Sequence, residues 1–200
     1  MTNPTAGFGL RAVRRLDGAA LSFQMVERRI AYNDSSSIGT GDLVTPLATG
    51  YVTAYTAADA ITGGVFAGCK YLDPSTGRVG WFPSWTAPTL PSTTVVTAFL
   101  IADPNIVFDI RSSGDSAAIG IEDVGANFEV TVGTPNAQTG QSTTTLLGTS
   151  AATTATLPLK MVSFPSQLVT SGYNDDTLVN NIVQVRLNTL QLFAAAGLHT

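Results

Sequence analysis

Nine short runs rich in Val, Ile, Phe, Tyr and Thr recur along the chain, each closed off by Gly, Pro, Asn or Asp. They are "GDLVTPL", "YVTAYTA", "ITGGVFAGCKYL", "RVGWFPSW", "TVVTAFLIA", "NIVFDIRS", "NFEVTVG", "LKMVSF" and "NNIVQVRLNTL". β-branched and aromatic residues at this length and spacing predict strands. In "NIVQVRLN", Val183, Val185 and Leu187 share one face, and Ile182, Gln184, Arg186 and Asn188 share the other. That is the pattern of a half-buried strand. "LDPSTGR", "ADPN" and "SSGD" carry turn chemistry between runs, with Pro74 fixing φ and Gly77 free to take φ > 0 in a hairpin loop. Helical period is scarce. "TLQLFAAAG" and "QMVERRIAY" each read as one or two helical turns or as strand. With no alternation of strands and helices, an α/β enzyme fold is disfavoured. The expectation is one all-β domain, a β-barrel or jelly-roll-like sandwich with an extended N-terminal arm and little helix.

At 200 residues the chain is long enough to bury a core without disulfides or metal. Charged residues make up only 12%, about half the usual ~25%. Neutral surface of that extent commonly lies against other protein. The tract "TGQSTTTLLGTSAATTATLPL" (139–159) has no charge at all. Threonine is hydrated through its hydroxyl and favours extended backbone, so "TTTLL" and "TTATLPLKMVSF" are expected to pair as strands around "GTSAA". The recurrent Leu146, Leu147, Leu157 and Leu159 give the tract something to bury, against a neighbouring subunit or beneath solvent-facing threonines.

Charge is unevenly placed. Residues 1–29 carry +3 and the remainder −7, within a total of −4. A basic segment on an acidic body suggests attachment to an acidic surface. Residues 1–20 are therefore read as an arm and 21–200 as the body. Gly7 and Gly9 make the arm costly to order alone. Phe8, Leu10 and Val13 offer apolar anchors, while Arg11, Arg14 and Arg15 can pair with carboxylates on a partner. The competing arrangement is an arm folded back as an edge strand of its own barrel. Nucleic acid is not expected, since these arginines lack interleaved aromatics and the acidic body repels phosphate.

No residues assemble into a catalytic motif. Cys69 sits in an apolar run and reads as a buried, inert thiol. The only histidine, His199, is penultimate and a poor general base. Asp109, Glu122, Asp123 and Glu129 could supply a carboxylate pair, but their context is that of strand ends and loops. "GYNDDTLVNN" could offer Asp175 and Asp176 to a hard cation, yet it lacks a calcium loop's spacing and reads as an Asx turn. "GFGLRAV" lacks the preceding strand and the lysine of a phosphate loop. No catalytic residue, cofactor or metal is expected. The N-terminus lacks the apolar stretch of a signal peptide, and no apolar run reaches membrane-spanning length.

In collinear order, "GFGLRAVRRLDG", "TGDLVTPLATGYV", "ITGGVFAGCKYLDPSTG", "DPNIVFDIRSSG", "DVGANFEVTVGTPNAQTGQS" and "NNIVQVRLN" resemble small structural proteins of tailed bacteriophages, specifically head decoration or cement proteins. The resemblance implies a β-barrel or jelly-roll-like body made in the host bacterial cytoplasm and carried on the virion, without enzymatic activity. It implies binding to the major capsid protein and self-association at lattice symmetry points, a trimer being the first choice. The arm residues Phe8, Leu10, Arg11, Val13, Arg14 and Arg15 would then be the capsid-binding set. The alternative is a carbohydrate-binding adhesin module of a tail or surface, reading sugars through Trp81, Trp85, Tyr51 and Tyr55.

Overall fold

The computed structural model describes residues 3, 5–21, 25–115, 118–165, 174–175 and 177–190. It is all-β, with two short 3-10 turns at Ile121–Asp123 and Gly148–Ser150. "QMVERRIAY" resolves as strand, its centre forming β2 (Val26–Ile30). Most of "TLQLFAAAG", with His199, lies outside the described residues.

Five strands close into a small barrel. They are β2, β4 (Leu43–Pro46), β5 (Tyr51–Ala54), β6 (Gly64–Asp73) and β9 (Val96–Ile101). β4 pairs with both β5 and β6, β5 runs parallel to β2, and β9 joins β2 to β6. Alternation on β9 turns Val96, Ala98 and Leu100 into the barrel, where they meet Ile30, Val44, Val52 and Phe66. On β6 a register shift between Phe66 and Gly68 adds one residue. Phe66 and Cys69, three apart, therefore both face inward, which strict alternation forbids. β7 (Arg78–Phe82) continues the sheet beyond β6 through the expected "DPSTGR" loop, and β3 (Ile38–Gly39) pairs with β8 (Ser84–Trp85) as a short antiparallel ribbon. In that loop Asp73 accepts from the amide of Ser75, and Gly77 takes φ +65.

The second layer is an antiparallel sheet in the order β1 (Arg11–Arg15), β10 (Ile106–Arg111), β15 (Ile182–Leu187), β14 (Leu159–Ser163) and β11 (Asn127–Phe128). Its inner face packs Ile106, Phe108, Ile110, Met161, Val183 and Val185 against the outside of the barrel wall. That wall contributes Leu43, Val65 and Ile101. Sequence neighbours thus feed different cores: Leu43 and Val44, Val65 and Phe66, Leu100 and Ile101. Each such fully buried side chain is worth about 1.5–3 kcal/mol. The two cores share one wall.

The neutral tract pairs differently from expectation. Its strand β13 (Thr145–Leu146) pairs with β12 (Val130–Thr131), while β14 lies between β15 and β11. Leu146 and Leu159 are fully buried in the chain's own core, so the tract belongs to the body itself. What holds it is Asp42, 4% exposed. The Asp42 carboxylate accepts from the Ser142 hydroxyl (2.5 Å), the Thr144 hydroxyl (2.6 Å) and the Gly39 amide (2.7 Å). The hydroxyls act here as donors to a buried anion.

Candidate interaction surface

The segment expected to be an arm is built into the body. β1 lies on β10 as an edge strand, with Arg11 opposite Asp109 and a bulge between Ala12 and Arg14. The Leu10 side chain is 4% exposed and its amide donates to the Gly41 carbonyl at 2.8 Å. Gly7 and Gly9 are small because the chain squeezes past the neutral tract there. A Cβ on Gly7 would lie 2.2 Å from the Thr143 carbonyl oxygen, and Gly9 takes φ +69 against Ser142. These glycines serve close approach.

Of the expected capsid-binding residues, the structure brings Phe8 and Arg11 into contact and places Arg14 on the same outer face of β1. Arg11 lies over the Phe8 ring at 5.4 Å, with Arg111 over the same ring at 5.6 Å. Arg11 also faces Asp109 at 3.6 Å. Arg14 donates to Gln184 and Ser163, so it reaches across β10 to β15 and β14. Leu10 is core instead, and Val13 is half-buried at the bulge. Arg15 belongs to a separate cluster, paired with Asp17 at 2.7 Å and with Asp103. That pairing raises the Arg15 pKa and holds the Asp17 carboxyl down at about 2.

The strand registers extend this face. Asp109 sits beside Gln184 on β15, whose next outward residue, Arg186, lies opposite Lys160 on β14. The outward positions of the sheet therefore carry Arg11, Arg14, Arg111, Arg186 and Lys160 against the single carboxylate of Asp109; Arg111 is itself buried, which leaves four of the chain's ten basic residues reaching solvent on this face. Two like charges placed directly opposite, as at Lys160 and Arg186, are unfavourable in a free sheet and favour an anion laid across them. Charge placed by alternation on strands roughly 95 to 170 residues beyond β1 is what reading the N-terminal cluster alone misses. The outward alternation of "NIVQVRLN" was the available signal.

The remaining candidates separate. Trp85 is fully buried and donates its indole N–H to the Asp34 carbonyl at 3.2 Å. Tyr55 is 2% exposed and donates to Glu129. Trp81 and Tyr51 stand open on different strands, so the four aromatics form no common platform. Asp123 accepts from the Gly120 amide, and Asp109, Glu129 and Asp123 each answer to different partners. Asp175 accepts from the Thr177 amide and hydroxyl as an Asx turn, while Asp176 lies outside the described residues. Cys69 is buried, and burial pushes its thiol up to about 12. Among the described residues, no cluster of three or more His, Cys, Asp and Glu could hold a metal, and no helix is long and apolar enough to cross a membrane.

Compared with known protein families, curated proteins and solved structures, the chain matches none.

Proposed function

We propose that this chain is a non-enzymatic structural protein of a tailed-phage virion, a cement protein that docks on the major capsid protein through the basic outer face of its five-stranded sheet. One observation carries the reading. A chain with a net charge of −4 brings Arg11, Arg14, Lys160 and Arg186, four of its ten basic residues, to solvent on one sheet face, with the one carboxylate of Asp109 among them. Such a face attracts a carboxylate-rich protein surface, and arginine binds carboxylates bidentately. The collinear motifs resembling head decoration proteins supply the identity of that surface. A tile repeated over a shell gains from multivalency, and it stabilises the shell by binding the assembled state in preference to the free one.

The test is the triple variant Arg11→Gln, Lys160→Gln and Arg186→Gln, offered to heads stripped of this protein. Arg11 is exposed and Lys160 and Arg186 are half-buried on the outer side of the sheet, away from the apolar core, so the melting temperature should shift by no more than a few degrees. Occupancy on heads should fall at least about tenfold at physiological salt, where the Debye length is about 8 Å. The residual binding should also respond less to added salt. Unchanged occupancy would remove the basic face from the contact.

The carbohydrate-binding alternative keeps one observation in its favour. Trp81 is 59% exposed, with its indole laid against Gly68. Glycan-array binding abolished by Trp81→Ala, together with no binding to heads, would favour that reading.

A further inference from the structure

The six-stranded sheet ends at β7, and β7 is undefended. Natural edge strands are shielded by bulges, inward charges or proline. β1 follows that rule, with a bulge and three arginines. β7 reads RVGWF, with a single charge at its first residue and no bulge in its pairing with β6. Among the described residues, 78–82 make no backbone hydrogen bonds beyond that pairing. Val79 is 70% exposed and Trp81 59%, beside Leu72 at 49%. The edge itself is clear, because the Trp81 indole folds back over β6. A Cβ on Gly68 would lie 2.4 Å from its Cζ2.

We propose that β7 pairs antiparallel with β7 of a second copy, about a two-fold axis at Gly80. The occupant is set by the strand's own symmetry. Centred on Gly80, Val79 falls opposite Trp81 of the second copy and Trp81 opposite its Val79, so on one face each Val79 covers the flank of a Trp81 ring that leans over its own β6. Leu72, already paired with Val79 across β6, extends the apolar strip on both sides of the axis. Charge permits the approach. The two Arg78 side chains end four residues apart along the ribbon, about 13 Å, beyond the screening length. The joined edge is isologous, so it makes dimers, where the resemblance implied a threefold ring. The pairing is independent of the capsid reading.

Sedimentation equilibrium of the full chain should give a mass near twice 20.8 kDa. Val79→Lys places a charge in the apolar strip and should raise the dimer dissociation constant at least about tenfold, equivalent to ~1.4 kcal/mol. A second measurement fixes the register. In the pairing, positions 79 and 81 of opposite copies have Cα atoms about 4.5–5.5 Å apart, within disulfide reach. Two equivalent positions 79 lie on a diagonal of about 7–8 Å. A mixture of the Val79→Cys and Trp81→Cys variants should therefore form a mixed disulfide dimer under mild oxidation, far more than either alone. A monomeric or trimeric wild type overturns the proposal. So does a dimer that withstands Val79→Lys and yields no mixed disulfide.

Discussion

Deleting residues 2–15 should unfold the protein, with the melting temperature falling by more than about 10 °C in a calorimetric scan. The deletion takes away Leu10, which is 4% exposed in the core between the two layers. Truncating such a leucine to alanine alone costs about 2–5 kcal/mol. It also removes every hydrogen bond that β1 makes to β10, and the Gly9 and Leu10 amides that donate to Thr144 and Gly41. Asp109 then loses Arg11. Against a typical total of about 5–15 kcal/mol, losses of this kind consume much of the native stability. Near 200 residues, 1 kcal/mol moves the midpoint by about 2–4 °C. The single substitution Leu10→Ala should reproduce part of the loss. A deletion that left the midpoint within two degrees would restore the picture of a detachable arm.

Asp42→Ala should be nearly as damaging. The carboxylate is the common acceptor for three buried donors: the Gly39 amide and the Ser142 and Thr144 hydroxyls. Each buried donor left without a partner costs about 1–3 kcal/mol, so the expected loss is roughly 3 kcal/mol or more. The loss should be local in its first effects, freeing residues 139–145 before the barrel opens. Faster amide exchange at Thr40 and Ser142, which bridge the tract to the barrel, is the readout. The pH dependence has a definite sign. Burial raises the Asp42 pKa, while the three donors pull it down. Burial wins, so the proton-linked part of its stabilisation is fully present below the unfolded value of about 3.9 and is lost as pH rises through the higher folded value, while the hydrogen bonds to the ionised carboxylate remain. Asp42→Asn should remove that slope. Stability and exchange unaffected by Asp42→Ala would show that the tract is held elsewhere.

The strands were legible because their residues repeat a local rule. Val183, Val185 and Leu187 alternate with polar neighbours, and they face the core as that alternation requires. "DPSTGR" makes its turn with its own side chains. What depends on distant partners was not legible. β5 runs parallel to β2 and β4 also pairs with β6, and no periodicity in either segment encodes a closed barrel. Every residue of β10 is buried, including Asp109 and Arg111, although "IVFDIR" reads as half exposed. Its polar face is covered by neighbours drawn from both ends of the chain. Asp42 gave no sign of being an anchor, since one aspartate in "TGDLV" looks like any turn residue. The aromatic residues misled for a related reason. Trp85 and Tyr55 each carry one polar atom that a backbone carbonyl or Glu129 satisfies, so burial costs them little. For the basic face, the N-terminal arginines were visible, whereas Lys160 and Arg186 join them only through strand order.

The position of β10 between β1 and β15 has a kinetic consequence. On the ribosome, β10 meets an already synthesised β1, but its neighbour on the other side, β15, is synthesised some seventy residues later. At about 5–20 residues per second, Phe108 and Ile110 wait several seconds with one flank unpaired. Closing that gap is a contact between segments far apart in sequence, the class that slows folding from microseconds towards milliseconds and seconds. During the delay an apolar strand with an open edge is available to any neighbouring chain. Yield in the host should therefore depend on synthesis rate and temperature more steeply than on the stability of the finished protein, with slower, cooler expression recovering soluble material.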